Sequence, residues 1–217
     1  MILEEKGCLA QRGSSEISKI AIIDYGIGNL FSLKCALQKA GLSVSVLSKP
    51  ESLSSYDGIV LPGVGNFKSG ARNLYPIREE IARVVEDGVP LFGICLGMQL
   101  LFEKSEESVG EGLSLLKGRV LKLPGDVKIP HMGWNTLRVL VNNDLLDGIN
   151  EKDYFYFVHS YYADPSENEV IIAETTYGIA FASVIAKKNI FGTQFHPEKS
   201  GKPGRKVLHN FARIVKG

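Results

Sequence analysis

The stretch GVPLFGICLGMQLLFEKS, residues 88–105, decides the fold. PLFGI, residues 90–94, has the length and the apolar run of a strand buried on both faces. Cys95 to Phe102 then predicts a helix. Gly93 and Gly97 stand two positions either side of Cys95, where larger side chains would pack better. A sharp strand-to-helix turn, on which one backbone passes close to another, is a reason to put glycine there. Two readings of Cys95 stand at this point. A cysteine in a glycine-rich apolar run is ordinarily a buried small hydrophobe. On a cramped turn it is a nucleophile lifted above the sheet, with a helix N-terminus favouring the anionic sulfur. The free Leu96 N–H would then face a developing oxyanion.

Outward from that unit, strands and helices alternate. KIAIIDYG, residues 19–26, opens with a buried-strand run and is punctuated by Gly26, Gly28 and Asn29. Leu30, Leu33 and Leu37 follow at helical spacing, ending at Gly41. SVSVL is a short strand, and DGIVLPGVG is a strand running into a glycine-rich loop. Residues 76–87 predict a helix that starts at Pro76. This order predicts an α/β fold with an open, mostly parallel central sheet flanked by helices. In such sheets sites gather at the carboxyl ends of the strands. Asp24-Tyr25-Gly26, Pro62-Gly63-Val64-Gly65 and Cys95 all fall there.

After residue 118 the texture changes. RVLKL, TLRVL, DYFYFVHSYY, EVIIAETTYG and IAFASVIAKKNIFGTQF read as strands, many of them antiparallel. GRKVLHNFARIVKG reads as a closing amphipathic helix with Val207, Phe211, Ile214 and Val215 on its apolar stripe. No repeat or linker interrupts the chain, so residues 19–217 are expected to form a single domain. Residues 1–18 are polar and read as a mobile N-terminal extension, with Cys8 an incidental exposed thiol.

The 217 residues carry a net charge of +1, which offers no strong pull toward nucleic acid or membrane. No apolar run approaches the roughly 20 residues of a membrane helix. Glu4 and Glu5 occupy the region where a signal peptide would be basic. Three cysteines at unrelated spacings argue against a disulfide framework and for a reducing compartment, and they lack a zinc-ligand pattern. A cytoplasmic protein with no metal and no cofactor is expected.

A partner for the thiol comes from GTQFHPEKS, residues 192–200. On an extended strand Gly192, Gln194 and His196 face one way. His196 and Glu198, two apart around Pro197, would then share a side about 7 Å apart at Cβ, a gap a glutamate can bridge. The carboxylate would set the imidazole tautomer and leave the other ring nitrogen for a thiol. The alternative for His196 is a hydrogen-bonded histidine at a strand end; the Glu198 pairing together with an elbow cysteine favours catalysis. PGVG, residues 62–65, is either an ordinary turn or a second source of oxyanion donors. SGKPG, residues 200–204, lacks the spacing of a phosphate-binding loop.

Gly93-Ile-Cys95-Leu-Gly97-Met-Gln99 and His196-Pro-Glu198 resemble the class I, triad-type glutamine amidotransferases. IAIIDYGIGNL, LPGVGNF and IPHMGWN (129–135) are similar to the glutaminase subunits of imidazole glycerol phosphate synthases in histidine biosynthesis, from about residue 19 to the end. The resemblance implies that Cys95 attacks the side-chain amide of glutamine, His196 moves the proton and Glu198 orients His196. Leu96, Gly63 and Val64 would supply the oxyanion hole. It further implies that Gly65, Gln99, Glu107, His159, Ser160 and Tyr161 hold the substrate. The implied partner is a (β/α)8-barrel cyclase in a heterodimer, with Asn29, Trp134, Tyr156 and Lys199 on the interface side. His131, His209 and Cys35 are read as structural or surface residues. Three alternatives remain: an amidotransferase serving another synthase, a non-catalytic α/β binding module, and a protease-like cysteine hydrolase.

Overall fold

The computed structural model describes residues 17–26, 28–48 and 52–217. Most of the expected extension, including Cys8, lies outside the described residues. The first half of the chain runs β1 (Lys19–Ile23), α1 (Leu30–Lys39), β2 (Ser43–Leu47), β3 (Gly58–Leu61), α2 (Phe67–Leu74), α3 (Arg78–Glu86), β4 (Leu91–Ile94), α4 (Leu96–Gln99) and β5 (Lys104–Ser105). The second half runs β6 (Gly118–Lys122), β7 (His131–Thr136), β8 (Arg138–Val139), β9 (Tyr154–His159), β10 (Tyr161–Pro165), β11 (Ile171–Tyr177), β12 (Ile179–Lys187), β13 (Ile190–Thr193) and α5 (Gly201–Lys216).

Eight strands form the main sheet in the order β2-β1-β3-β4-β13-β12-β11-β8. The five from β2 to β13 are mutually parallel, and β12, β11 and β8 continue the sheet antiparallel. The expected α/β architecture is therefore the observed one. Two apolar clusters cover its faces. One joins Ile20, Ile22, Phe92 and Phe155 with Val207, Leu208 and Phe211 of α5. The other joins Ile23, Leu61 and Leu91 with Phe67 of α2, Ile81 of α3 and Met98. Central parallel strands must be apolar on both sides, and β3 and β4 are buried throughout. Two small sheets, β10-β6-β5 and β7-β9, lie apart from the main one.

The local outcomes differ from expectation at several places. The helix expected over 76–87 is α3, from Arg78; Pro76 sits in a preceding 3-10 turn, Tyr75–Ile77. Helix α2 was not anticipated, although Asn66 caps it by accepting the Ser69 N–H at 2.8 Å. The helix expected over 95–102 shrinks to Leu96–Gln99. Its onward carbonyls are taken instead: Leu113 N–H donates to Leu100 O at 2.8 Å and Leu116 N–H to Leu101 O at 3.0 Å. IPHMGWN, read only as a motif, supplies β7, which pairs antiparallel with β9.

Candidate active site

The glycines around Cys95 are explained by contact. A Cβ on Gly93 would stand 2.7 Å from the carbonyl carbon and oxygen of Gly97. A Cβ on Gly97 would stand 1.9 Å from the Leu61 carbonyl oxygen. The turn therefore folds back onto its own strand and onto the neighbouring β3, and only hydrogen fits in the seams. Cys95 occupies the corner with φ of 53° and ψ of −108°, a left-handed conformation that an L residue adopts only under constraint. Leu96 opens α4, so its N–H has no acceptor within the helix ladder.

The histidine arrives through sheet topology. β13 is parallel to β4 with Thr193 opposite Ile94, and Cys95 N–H donates to Thr193 O at 2.7 Å. Both chains thus leave the sheet at the same carboxyl edge, one into Cys95 and the other into His196. The strand does not stay extended to Glu198 as expected. It ends at Thr193, and Pro197–Lys199 form a 3-10 turn that folds the carboxylate back. His196 Nδ1 lies 2.9 Å from Glu198 Oε1, with both side chains buried. A carboxylate accepts, so Nδ1 carries the proton and Nε2 is the free nitrogen. Neither Nε2 nor Glu198 Oε2 has a hydrogen bond of ordinary length.

Electrostatics favour the imidazolium. Burial lowers the affinity of His196 for its proton. The negative charge of Cys95, a hydrogen bond to Cys95 and the bond and charge of Glu198 outweigh it, and the His196 pKa is pushed up to about 10. The turn is held from behind by Ser200, whose hydroxyl donates to His196 O at 2.6 Å and accepts the Tyr156 N–H at 2.9 Å. His196 N–H donates to Tyr156 O at 3.0 Å.

In front of the thiol lies a cleft of about 260 Å³ lined by Cys95, Leu96, Val64, Gly65, Gln99, Glu107, His159, Ser160 and Tyr161. Each of the six residues expected at the substrate is on this wall. Glu107 is committed at one oxygen, since Oε2 accepts the Phe67 N–H at 2.6 Å at the start of α2. Gly63 is wedged: a Cβ there would meet Leu96 Cβ at 2.7 Å, the Tyr25 hydroxyl at 2.8 Å and Gly97 N at 2.9 Å. The Tyr25 hydroxyl donates to the Pro62 carbonyl and so pins the first peptide of the PGVG loop. Gly65, with φ of 129°, requires the freedom of glycine. A larger cleft, about 820 Å³, lies around Asn142–Glu151 and Arg213 and includes none of these residues.

A second, narrow cleft joins His196 and Glu198 to Asn29, Gly63, Val64 and Lys199. Trp134 is 56% exposed, stands edge-on to Tyr156 at 5.8 Å between ring centres, and Lys199 Nζ lies 6.0 Å from the Tyr156 ring. These three form one surface cluster beside the histidine. Asn29 caps α1 through the Ser32 N–H at 3.3 Å.

Sequence reasoning gave His159 to the substrate and read His131 as structural or surface, and did not pair them. His131 Nδ1 lies 2.9 Å from His159 Nε2, and His159 Nδ1 lies 2.9 Å from the Tyr161 carbonyl. The carbonyl only accepts, so His159 is protonated at Nδ1 and accepts at Nε2 from His131. Burial lowers the His131 pKa to about 4. It lowers that of His159 to about 3, where the nearby His131 and His196 add to the effect and the Tyr161 carbonyl opposes it. Both rings are neutral at pH 7. The odd clue in the sequence was a histidine on each of two paired strands; the register that matches His131 with His159 was not readable. Among the described residues, no group of three or more His, Cys, Asp or Glu side chains could hold a metal ion.

A parallel sheet thus delivers a cysteine on a strained turn and a carboxylate-held histidine to the same carboxyl edge, the arrangement that a triad-type amide hydrolase requires. The family model for glutamine amidotransferase class-I matches residues 21–215. The chain is 49% identical over 197 residues to the imidazole glycerol phosphate synthase subunit HisH of Methanocaldococcus jannaschii, covering 90% of this chain and 100% of that one. It is 50% identical to the subunit of the same name from Methanothermobacter thermautotrophicus (91% and 99% covered) and 46% identical to that from Geobacillus thermodenitrificans (93% and 98%). Among solved structures, PurLQS from Thermotoga maritima shares the fold, with a TM-score of 0.76 at 22% identity, covering 92% of this chain and 100% of that chain. The chain belongs to the class-I glutamine amidotransferases and, within them, to the HisH family.

Proposed function

We propose that the chain hydrolyses glutamine to glutamate and ammonia through a Cys95 thioester, and that it passes the ammonia to a cyclase subunit making imidazole glycerol phosphate in histidine biosynthesis. The observation that carries the site assignment is a buried His196 whose Nδ1 is held 2.9 Å from Glu198 and which interacts with Cys95 on its strained turn. The Cys95 thiol gives its proton to His196 Nε2, and the resulting anionic Sγ attacks the side-chain amide carbon. The oxygen becomes an oxyanion held by Leu96 N–H and by N–H groups of Gly63 and Val64. The proton on His196 Nε2 goes to the nitrogen, the C–N bond breaks and ammonia leaves. Water then attacks the thioester, gives its proton to Nε2 and releases glutamate and the sulfur. Gly65, Gln99, Glu107, His159, Ser160 and Tyr161 hold the amino acid in the cleft.

The finer reading of the partner is a (β/α)8-barrel cyclase forming a heterodimer with this chain in the cytoplasm. Asn29 and the cluster of Trp134, Tyr156 and Lys199 would face it. The domain begins at residue 19 and the preceding residues are an appendage. An ammonia assay tests the whole reading. The isolated chain is expected to turn over glutamine slowly and to speed up when the purified cyclase and its ligand are added. Cys95→Ala abolishes both rates. Residual glutamine hydrolysis by Cys95→Ala in the assembled complex would refute the mechanism, and equal rates with and without the cyclase would refute the coupling.

A further inference from the structure

The sulfur of Cys95 has one side-chain donor within hydrogen-bonding reach that the triad does not include: Gln194 Nε2, at 3.6 Å. Gln194 is fully buried, one residue past β13. A buried carboxamide can be placed either way round, so its direction has to be deduced. Gln99 presents one terminal atom to the Tyr161 carbonyl at 2.8 Å, and a carbonyl only accepts, so that atom is Nε2. The same nitrogen lies 3.1 Å from Gln194. The atom it meets must accept and is therefore Oε1. What remains on Gln194, its N–H pair, points to the sulfur. The Tyr161 carbonyl is itself fixed by the His159 Nδ1–H, and His159 by His131. Each link of this chain, from β7 to the nucleophile, admits one polarity.

We propose that Gln194 is a further catalytic residue: its N–H donates to the sulfur of Cys95, steadying the anionic form and aiming it into the cleft, while Gln99 and the Tyr161 carbonyl keep the amide from turning its oxygen toward the thiolate. This rests on Cys95 being the nucleophile. The bond acts twice. It holds the attacking sulfur in place before the C–S bond forms. It then stabilises the sulfur as it leaves the second tetrahedral intermediate, when the C–S bond breaks and the electron pair returns to it. An inverted amide would set its oxygen against that charge. A polar residue there for packing alone would have no need of a fixed direction.

Two variants and one measurement on the unaltered chain test this. Gln194→Leu removes the donor, and Gln194→Glu keeps the shape but turns an oxygen toward the sulfur. In complex with the cyclase, each is expected to lower kcat about 10- to 100-fold with KM within about threefold. Alkylation of Cys95 by iodoacetamide at pH 7 slows about tenfold in each. In the unaltered full-length chain, the side-chain amide resonances of Gln194 shift when Cys95 is alkylated. A kcat and an alkylation rate within twofold of the parent in either folded variant would overturn the proposal. So would unmoved Gln194 resonances, a readout that holds even if both variants misfold. Glutamine hydrolysis that survives Cys95→Ala would instead overturn the reading of the nucleophile, so the two failures are distinct.

Discussion

At the scale of single residues, the site trades backbone comfort for chemistry. Cys95 sits at φ of 53° because β4 must turn at once into α4 with Gly97 pressed against Leu61. A left-handed conformation costs an L residue about 1–2 kcal/mol, and glycine escapes most of that. Cys95→Gly should therefore be more stable than Cys95→Ala by about 1 kcal/mol, or roughly 2–4 °C in melting temperature, although neither hydrolyses glutamine. Equal melting temperatures would mean that the corner is unstrained. In the proposed triad Glu198 acts through His196 by fixing the proton on Nδ1. Glu198→Gln is expected to lower kcat by about 10²- to 10⁴-fold with little change in KM, because an amide can turn its N–H toward the ring and favour the wrong tautomer. An unchanged kcat would remove Glu198 from the triad.

At the scale of elements, the pairing of β7 with β9 buries two neutral imidazoles against each other. An unfolded histidine takes its proton near pH 6.5. The folded His131 resists protonation down to about pH 4 and His159 down to about pH 3. Between those limits the unfolded chain binds more protons, so stability rises with pH there and falls as the solution is acidified. The contribution of the pair is complete above about pH 6.5. Each histidine adds a slope of up to about 1.4 kcal/mol per pH unit below it. Urea midpoints between pH 4.5 and 7.5 measure this, and His131→Gln should show a shallower acid limb. Parallel limbs for parent and variant would show that the histidine is not held neutral. The pairing also explains why IPHMGWN was legible as a motif but not as a strand. His131 and Gly133 break the apolar alternation that marks one, and Trp134 points outward.

At the scale of the whole molecule, the proposed catalytic machinery is assembled late along the chain. Cys95 belongs to the parallel half, while Gln194, His196 and Glu198 follow β13, which returns to lie between β4 and β12. The sheet edge where they meet is fixed by pairing of residues about a hundred positions apart. The ordered sheet starts at Lys19, with the Ser18 carbonyl accepting the Ser43 N–H at 2.9 Å. A chain beginning at Ile17 is therefore expected to melt within about 2 °C of the full chain and to retain its cyclase-stimulated ammonia production. A larger loss of either would give the first sixteen residues a part in the domain.

By itself the sequence determined the alternation of buried strands and helices, the elbow around Cys95, and the chemistry that His196 and Glu198 could perform with it. Those are local matters: apolar runs, glycine spacing and side-chain type act within a few residues. The tertiary structure decided what had to meet across the chain. It ended α4 after Gln99 by giving the next carbonyls to residues 113 and 116. It folded Glu198 back through a 3-10 turn, where an extended strand was expected. It joined His131 to His159 and Gln194 to Cys95. Strand register and the need to satisfy buried polar groups select such partners, and neither constraint exists until the sheet has closed around them.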